Sequence, residues 1–164
     1  MIAFLPRSGT LPKRAGGGKL PSQLVDIREV TAADTAELRR QVLRGGRPVA
    51  LPGDGDPAFH IGVYDGEVLV ATGNVRVDPA PWEPDRPAWR LRGMATEPEH
   101  RGRGAGALVL GALVAHARAH GGGLLWCNAR TPAQRFYERA GLVTRGEPWE
   151  DPEIGPHVVM WMDL

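Results

Sequence analysis

Apolar and polar residues alternate from Val25 to Val30 in the order Val-Asp-Ile-Arg-Glu-Val, the period of a half-buried strand. Thr31 with Asp34 three residues on supplies a hydroxyl cap and a carboxylate, so a helix is predicted from there to about Arg44, ending at Gly45-Gly46. Residues 58–64 and 67–77 are rich in apolar and β-branched residues and are separated by Asp65-Gly66, which predicts a hairpin. Residues 48–57 and the proline-rich 78–87 are read as loops. Residues 89–95 read as a strand, 104–120 as a long helix broken by Gly121-Gly122-Gly123, and 124–128 as a short strand. Residues 132–140 then form a short helix closed by Gly141, 146–156 a loop, and 157–162 a last strand. The order β-α-β-β-β-α-β-α-β is mixed and not regularly alternating, which predicts an α/β (α+β) domain with a mixed sheet carrying helices on its faces.

Composition narrows the function classes. At 164 residues the chain suits a single domain with one core. Residues 1–22 carry Pro6, Pro12, Pro21 and a Gly16-Gly17-Gly18 run without either apolar period, so they are predicted to be a flexible extension to a domain spanning 23–164. Twenty basic residues against nineteen acidic ones leave a net charge of +1, which gives no electrostatic reason for nucleic acid or an anionic membrane as partner. The longest apolar run, residues 105–115, is too short to cross a bilayer, and residues 2–5 are too short for a signal-peptide core. Cys127 is the sole cysteine, so no intrachain disulfide forms. A cytoplasmic protein is expected.

The most informative segment is Arg101-Gly102-Arg103-Gly104-Ala105-Gly106, between a strand and an apolar helix. Three glycines clear Cβ atoms from the loop, the helix start offers free amides and a favourable dipole, and two arginines flank the spot. Such a loop suits a pyrophosphate. A Walker loop would need Lys-Ser or Lys-Thr where Ala107-Leu108 stand. A dinucleotide fingerprint is met loosely by Gly102, Gly104 and Ala107, but the next strand lacks the acid that would hold a ribose. The remaining alternative is a glycine-rich helix start in a chain that holds 22 glycines.

Arg101-x-x-Gly104-x-Gly106 resembles the acyl-CoA pyrophosphate loop of the GNAT superfamily of N-acyltransferases, and the likeness extends over residues 89–144. Leu91-Arg92-Gly93-Met94-Ala95-Thr96 resembles the strand whose backbone binds the pantetheine arm in that family. The segment from Ala133 to Leu142 resembles its Ala-x-x-Phe-Tyr-x-x-x-Gly-Phe signature, with Leu142 in place of the usual Phe. Both ends are similar, more weakly, to the ElaA-type bacterial branch. The resemblance implies a mostly antiparallel sheet of about six to seven strands and acetyl-CoA as cosubstrate, with no metal. It implies cofactor contacts from Met94, Ala95, Thr96, Arg101, Gly102, Arg103, Gly104, Ala105, Gly106, Asn128, Ala133, Arg135 and Phe136. Dimers are frequent in that family, which leaves a homodimer open.

Acetylating an amine requires a deprotonated amine, a donor for the developing oxyanion and a proton for the leaving thiolate. By the resemblance, Tyr137 is the acid and the Ala95 backbone N–H, beside a distortion at Gly93, the oxyanion donor. Against this, Tyr137 also reads as an aromatic core residue and Asn128 as a turn cap. The base stays open among His157, His60, Glu97, Glu99 and a water relay. Cys127 reads as a small core residue, and His116 with His120 as a helix-end pair without a third metal ligand. The acidic residues of 45–57, 78–87 and 146–156, with Trp82 and Trp149, read either as ordinary solvated loop charges or as a surface that steers a cationic acceptor, a small primary amine or a peptide amine. Two functions remain open, a catalytic N-acetyltransferase and a non-catalytic acyl-CoA-binding sensor on the same fold.

Overall fold

The computed structural model describes residues 25–47 and 57–164. The expected extension over 1–22 and nearly all of the 48–57 loop lie outside the described residues. The elements run β1 (Val25–Val30), α1 (Ala32–Arg44), β2 (Phe59–Asp65), β3 (Val68–Val77), β4 (Ala88–Thr96), α2 (Ala105–Ala119), β5 (Leu124–Arg130), α3 (Gln134–Arg139), β6 (Val143–Asp151) and β7 (Gly155–Asp163). Short 3-10 turns at Pro98–His100 and Thr131–Ala133 precede α2 and α3. The expected order holds with one correction. Residues 143–151, assigned no strand from the sequence, form the edge strand β6, giving seven strands in the order β1-β2-β3-β4-β5-β7-β6. Adjacent strands run antiparallel except the parallel pair β4 and β5.

Local chemistry explains the elements on the site's side. Thr31 and Asp34 form the capping box of α1: Asp34 N donates to Thr31 Oγ1 at 3.2 Å, and Thr31 N donates to Asp34 Oδ2 at 2.8 Å. Such a cap contributes on the order of 1 kcal/mol. β6 owes its ladder to β7 alone. It is exposed along almost its whole length and tolerates Pro148 as an edge strand can. Its register slips between Arg145 and Trp149, the irregularity of a bulge.

The two long helices cover opposite faces of the sheet. A Cβ added at Gly73 would collide with Met94 Sδ and meet Val109 and Leu113 of α2, whereas the next residue, Asn74, approaches Gly93 and α1. Successive strand residues point to opposite faces, so α2 and α1 are separated by the sheet. The α2 face is apolar: Val109, Leu110 and Leu113 pack on Val63, Val70, Val75, Leu91 and Leu125, all buried. The α1 face is polar, with Thr35, Arg39, Thr72 and Asn74 buried beneath the helix. A buried polar layer costs stability unless its groups are hydrogen-bonded. Arg39 meets this by donating to Thr35 Oγ1 at 3.0 Å and to the Ala32 carbonyl at 2.8 Å.

Two departures from sheet regularity open the site. β4 pairs with β5 only across Ala88–Arg90 and Leu124–Trp126. Beyond Arg90 the strands part, β4 staying with β3 and β5 with β7. Just past that fork β4 bulges: Thr72 opposes Ala95 and Asn74 opposes Arg92, so Gly73 alone faces Gly93 and Met94. Gly93 takes φ 61°, the left-handed backbone that a bulge of this kind requires and glycine adopts without strain.

Candidate active site

The fork between β4 and β5 leads into a cavity of roughly 380 Å³. Its walls include Gly93 and Met94 of the bulge, Cys127 and Asn128 of β5, and Ala133 and Tyr137 around α3. Its far end is closed by Leu43 and Arg44 of α1 and by the β6–β7 hairpin through Trp149, Asp151, Ile154 and His157. The structure thus gathers Met94, Asn128, Ala133, Tyr137 and His157 from the expected site residues into one cavity.

Tyr137 is held with its ring edge-on to Phe136, the centroids 5.0 Å apart, and only 7% of its surface is exposed. Burial, with a smaller effect of Cys127, raises its hydroxyl well above the usual tyrosine value. The group keeps its proton across any working pH, as a donor to a leaving thiolate must. Cys127 is equally enclosed, and desolvation pushes its thiol up to about 12. A thiol of that kind is not a nucleophile at neutral pH. The native protein is therefore expected to resist alkylation by iodoacetamide at pH 8 and to react fully after denaturation; rapid labelling of the folded protein would refute its burial.

The expected phosphate loop lies outside this cavity, at the start of α2. Gly104 is the N-cap, with φ 97°, and no side chain caps the helix. The first intrahelical bond runs from Leu108 N to the Gly104 carbonyl, so the amides of residues 105–107 have no partner within the helix. At α1, by contrast, the capping box satisfies the Thr31 and Asp34 amides. Arg101 lies on the surface with Nε donating to the Thr96 carbonyl at 3.2 Å, beside the exposed Gly102 and half-buried Arg103. A Cβ at Gly106 would approach Thr96 Oγ1 at 3.3 Å and the Phe136 ring at 3.5 Å, which brings the loop, the end of β4 and α3 together. Ala105 is buried beneath the loop and Arg135 is exposed on α3. Ala95 is buried opposite Thr72, one residue beyond Met94.

Among the candidate bases, His157 is the one on the cavity wall. Its Nδ1 lies 2.7 Å from the Gly155 carbonyl, which can only accept, so Nδ1 carries the proton. In the neutral ring Nε2 is then an acceptor. Trp149 stacks on the same ring at 5.8 Å. His60, Glu97 and Glu99 are absent from the cavity wall. His116 and His120 sit elsewhere, stacked on each other and against Phe59 and Trp89.

The structure pairs part of the acidic set expected to steer the acceptor, while Asp54 and Asp56 lie outside the described residues and Asp85, Glu147 and Glu150 are exposed. Asp78 pairs with Arg76 at 3.2 Å and Arg90 at 3.3 Å, and Glu83 pairs with Arg86 at 3.1 Å. Trp82 is occupied by Arg145, 4.8 Å from its ring. The described wall of the cavity itself carries five arginines, 39, 44, 90, 92 and 130, against one acid, Asp151. Sequence reasoning missed this set, although Arg90 and Arg92, two apart on a strand, share a face.

A splayed parallel pair and a bulged strand beside it thus line one cavity, and a glycine loop opens a helix outside it. Residues 29–142 match the Acetyltransferase (GNAT) family, and the chain belongs to that family and is an acyltransferase. It is 28% identical over 145 residues to the uncharacterized N-acetyltransferase YitI of Bacillus subtilis, covering 86% of this chain and 97% of that protein. Escherichia coli ElaA superposes with a TM-score of 0.66 at 17% identity, over 84% of this chain and 98% of that one. The IAA acetyltransferase of Bacillus cereus gives 0.67 at 13% identity, over 85% and 99%. At these identities the two structures share the fold with this chain. No helix of the described residues is long and apolar enough to cross a membrane.

Proposed function

We propose that the protein transfers an acetyl group from acetyl-CoA directly to a primary amine, with both substrates bound together. The observation that carries this is Tyr137, its proton retained by burial, on the wall of the cavity into which the β4–β5 fork opens. The residues present fit the cosubstrate: uncapped amides at the start of α2 suit its pyrophosphate, and the edges of β4 and β5 beyond Arg90 are free of each other for the amides of its arm.

Acetyl-CoA supplies an activated thioester carbonyl; the chain supplies the rest. A free alkylamine is about 99.9% protonated at neutral pH, so its proton must leave before attack. His157 Nε2, directly or through water, is the acceptor on the wall best suited to take it. The Ala95 N–H, beside the Gly93 bulge, is assigned to the developing oxyanion, and the Tyr137 hydroxyl to the departing sulfur. Asn128, in the stretch of β5 parted from β4, is assigned to orienting the arm. The proposal is tested by titrating acetyl-CoA calorimetrically and screening amines for acceptor-dependent CoA release. Binding with release is expected; tight binding without release on any amine would make the protein a sensor, and binding of NAD instead would discard both.

A further inference from the structure

We propose that the acceptor amine also carries an anionic group, a carboxylate or a phosphate, held by Arg44 and Arg130 where α1 meets the β6–β7 hairpin. This rests on the acyl-transfer reading of the same cavity and names its substrate class. None of the cavity's described lining residues comes from the loop 101–106, so these arginines stand apart from the groups assigned to the pyrophosphate.

The five arginines are not equivalent. Arg39 is tied into α1 through Thr35 and the Ala32 carbonyl, and Arg90 is paired with Asp78 while lying 4.4 Å over the Trp126 ring. Arg44 and Arg130 come from the ends of α1 and β5, and they meet because Arg130 donates to the Leu43 carbonyl at 2.5 Å. Burial first, then repulsion from Arg44, lowers the Arg130 guanidinium from its ordinary value. Two cations are thus held in each other's field with too little negative charge between them.

The nearby acids do not relieve this. Asp151 acts on both guanidiniums through space, yet its Oδ1 accepts from the backbone N–H of Glu153 at 2.9 Å and of Ile154 at 3.1 Å. It makes no ion pair with either arginine among the described residues. Glu153 reaches Arg44 only at 3.9 Å from a largely exposed position. Among the described residues Arg44 Nε is buried without a hydrogen-bond acceptor. A buried guanidinium N–H left unpaired costs on the order of 1–3 kcal/mol, and a carboxylate or phosphate oxygen would satisfy it and the charge imbalance together. Trp149 and Ile154 wall the same end and would shield such a pair from water. The other titratable groups of the wall contribute no negative charge: His157 carries none in either form, and burial keeps Cys127 and Tyr137 protonated. A polyamine or a lysine side chain would meet like charge here.

The test measures kcat/KM, with acetyl-CoA saturating, for an α-amino acid and its carboxamide, an amino-sugar phosphate and its unphosphorylated sugar, and a polyamine. In at least one pair the anionic member is expected to exceed its neutral partner tenfold or more, and the responsive pair identifies the anion. Arg44→Gln should bring that ratio close to one by raising KM, with a melting temperature near native because among the described residues the Arg44 guanidinium makes only the loose Glu153 pair. Arg130→Gln should have the same effect on the ratio if it folds. Preference for the polyamine or for neutral members, or a native ratio in Arg44→Gln, would overturn the inference while leaving acetyl transfer standing. Acetyl-CoA binding with no turnover on any of the five would remove acetyl transfer and this inference with it.

Discussion

Replacing Tyr137 by Phe is expected to lower kcat by about 100-fold or more while leaving acetyl-CoA affinity almost unchanged. The substitution keeps the ring that packs on Phe136 and removes one oxygen from a side chain 7% exposed. What disappears is the proton that the leaving sulfur would take. A general acid contributes typically 10²- to 10⁴-fold, and the lower end applies where water can still enter and substitute. The pH profile gives a second readout. Burial holds the Tyr137 hydroxyl well above its ordinary value, so native kcat should not fall through loss of this proton up to about pH 9. The rise of kcat/KM with pH should follow the acceptor amine and the base, in native and mutant alike. A Tyr137→Phe protein with native kcat would return the residue to the core. One that melts many degrees lower would mean that the hydroxyl holds structure.

The parts of this molecule legible in its sequence are those whose signals are local. The Thr31–Asp34 box starts α1 at the residue expected, and the hairpin expected at Asp65-Gly66 is present one residue on, with Asp65 paired to Val68 and Gly66-Glu67 making the two-residue turn. The bulge in β4 was visible as a glycine inside a strand pattern, and the coenzyme half of the site as a run of ordered motifs. β6 carried no such signal. It is polar and exposed on both faces, holds Gly146 and Pro148, and is a strand because β7 supplies its partners. The charge of the acceptor end was only partly legible for a related reason. Its acids were visible as loop charge, but some of the arginines beside them lie far off in the chain: Arg90 for Asp78, twelve residues on, and Arg44 for Glu153, more than a hundred before. Only the fold subtracts one set from the other. The described wall of the cavity is basic, while the loops named from the sequence are acidic.

Gly104→Val is expected to weaken acetyl-CoA binding more than 100-fold, a loss of about 2.7 kcal/mol or more. Two effects combine, and they can be separated. Gly104 sits at φ 97°, a conformation that a β-branched residue adopts only under strain of about 1–3 kcal/mol. A Cβ there meets no protein atom within 4 Å, so the valine does not clash with the fold. It projects into the open space before the uncapped amides of α2, where a pyrophosphate would lie. Gly121→Val supplies the control. Gly121 lies just past the other end of the same helix, at φ 77°, and a Cβ there also meets nothing within 4 Å. Both variants should lose comparable stability in urea unfolding, because both force a side chain onto left-handed backbone. Only Gly104→Val should lose acetyl-CoA in calorimetry. Equal affinity in the two variants would show that the loop's glycines serve the chain's path alone, and the pyrophosphate would then have to be held away from the start of α2.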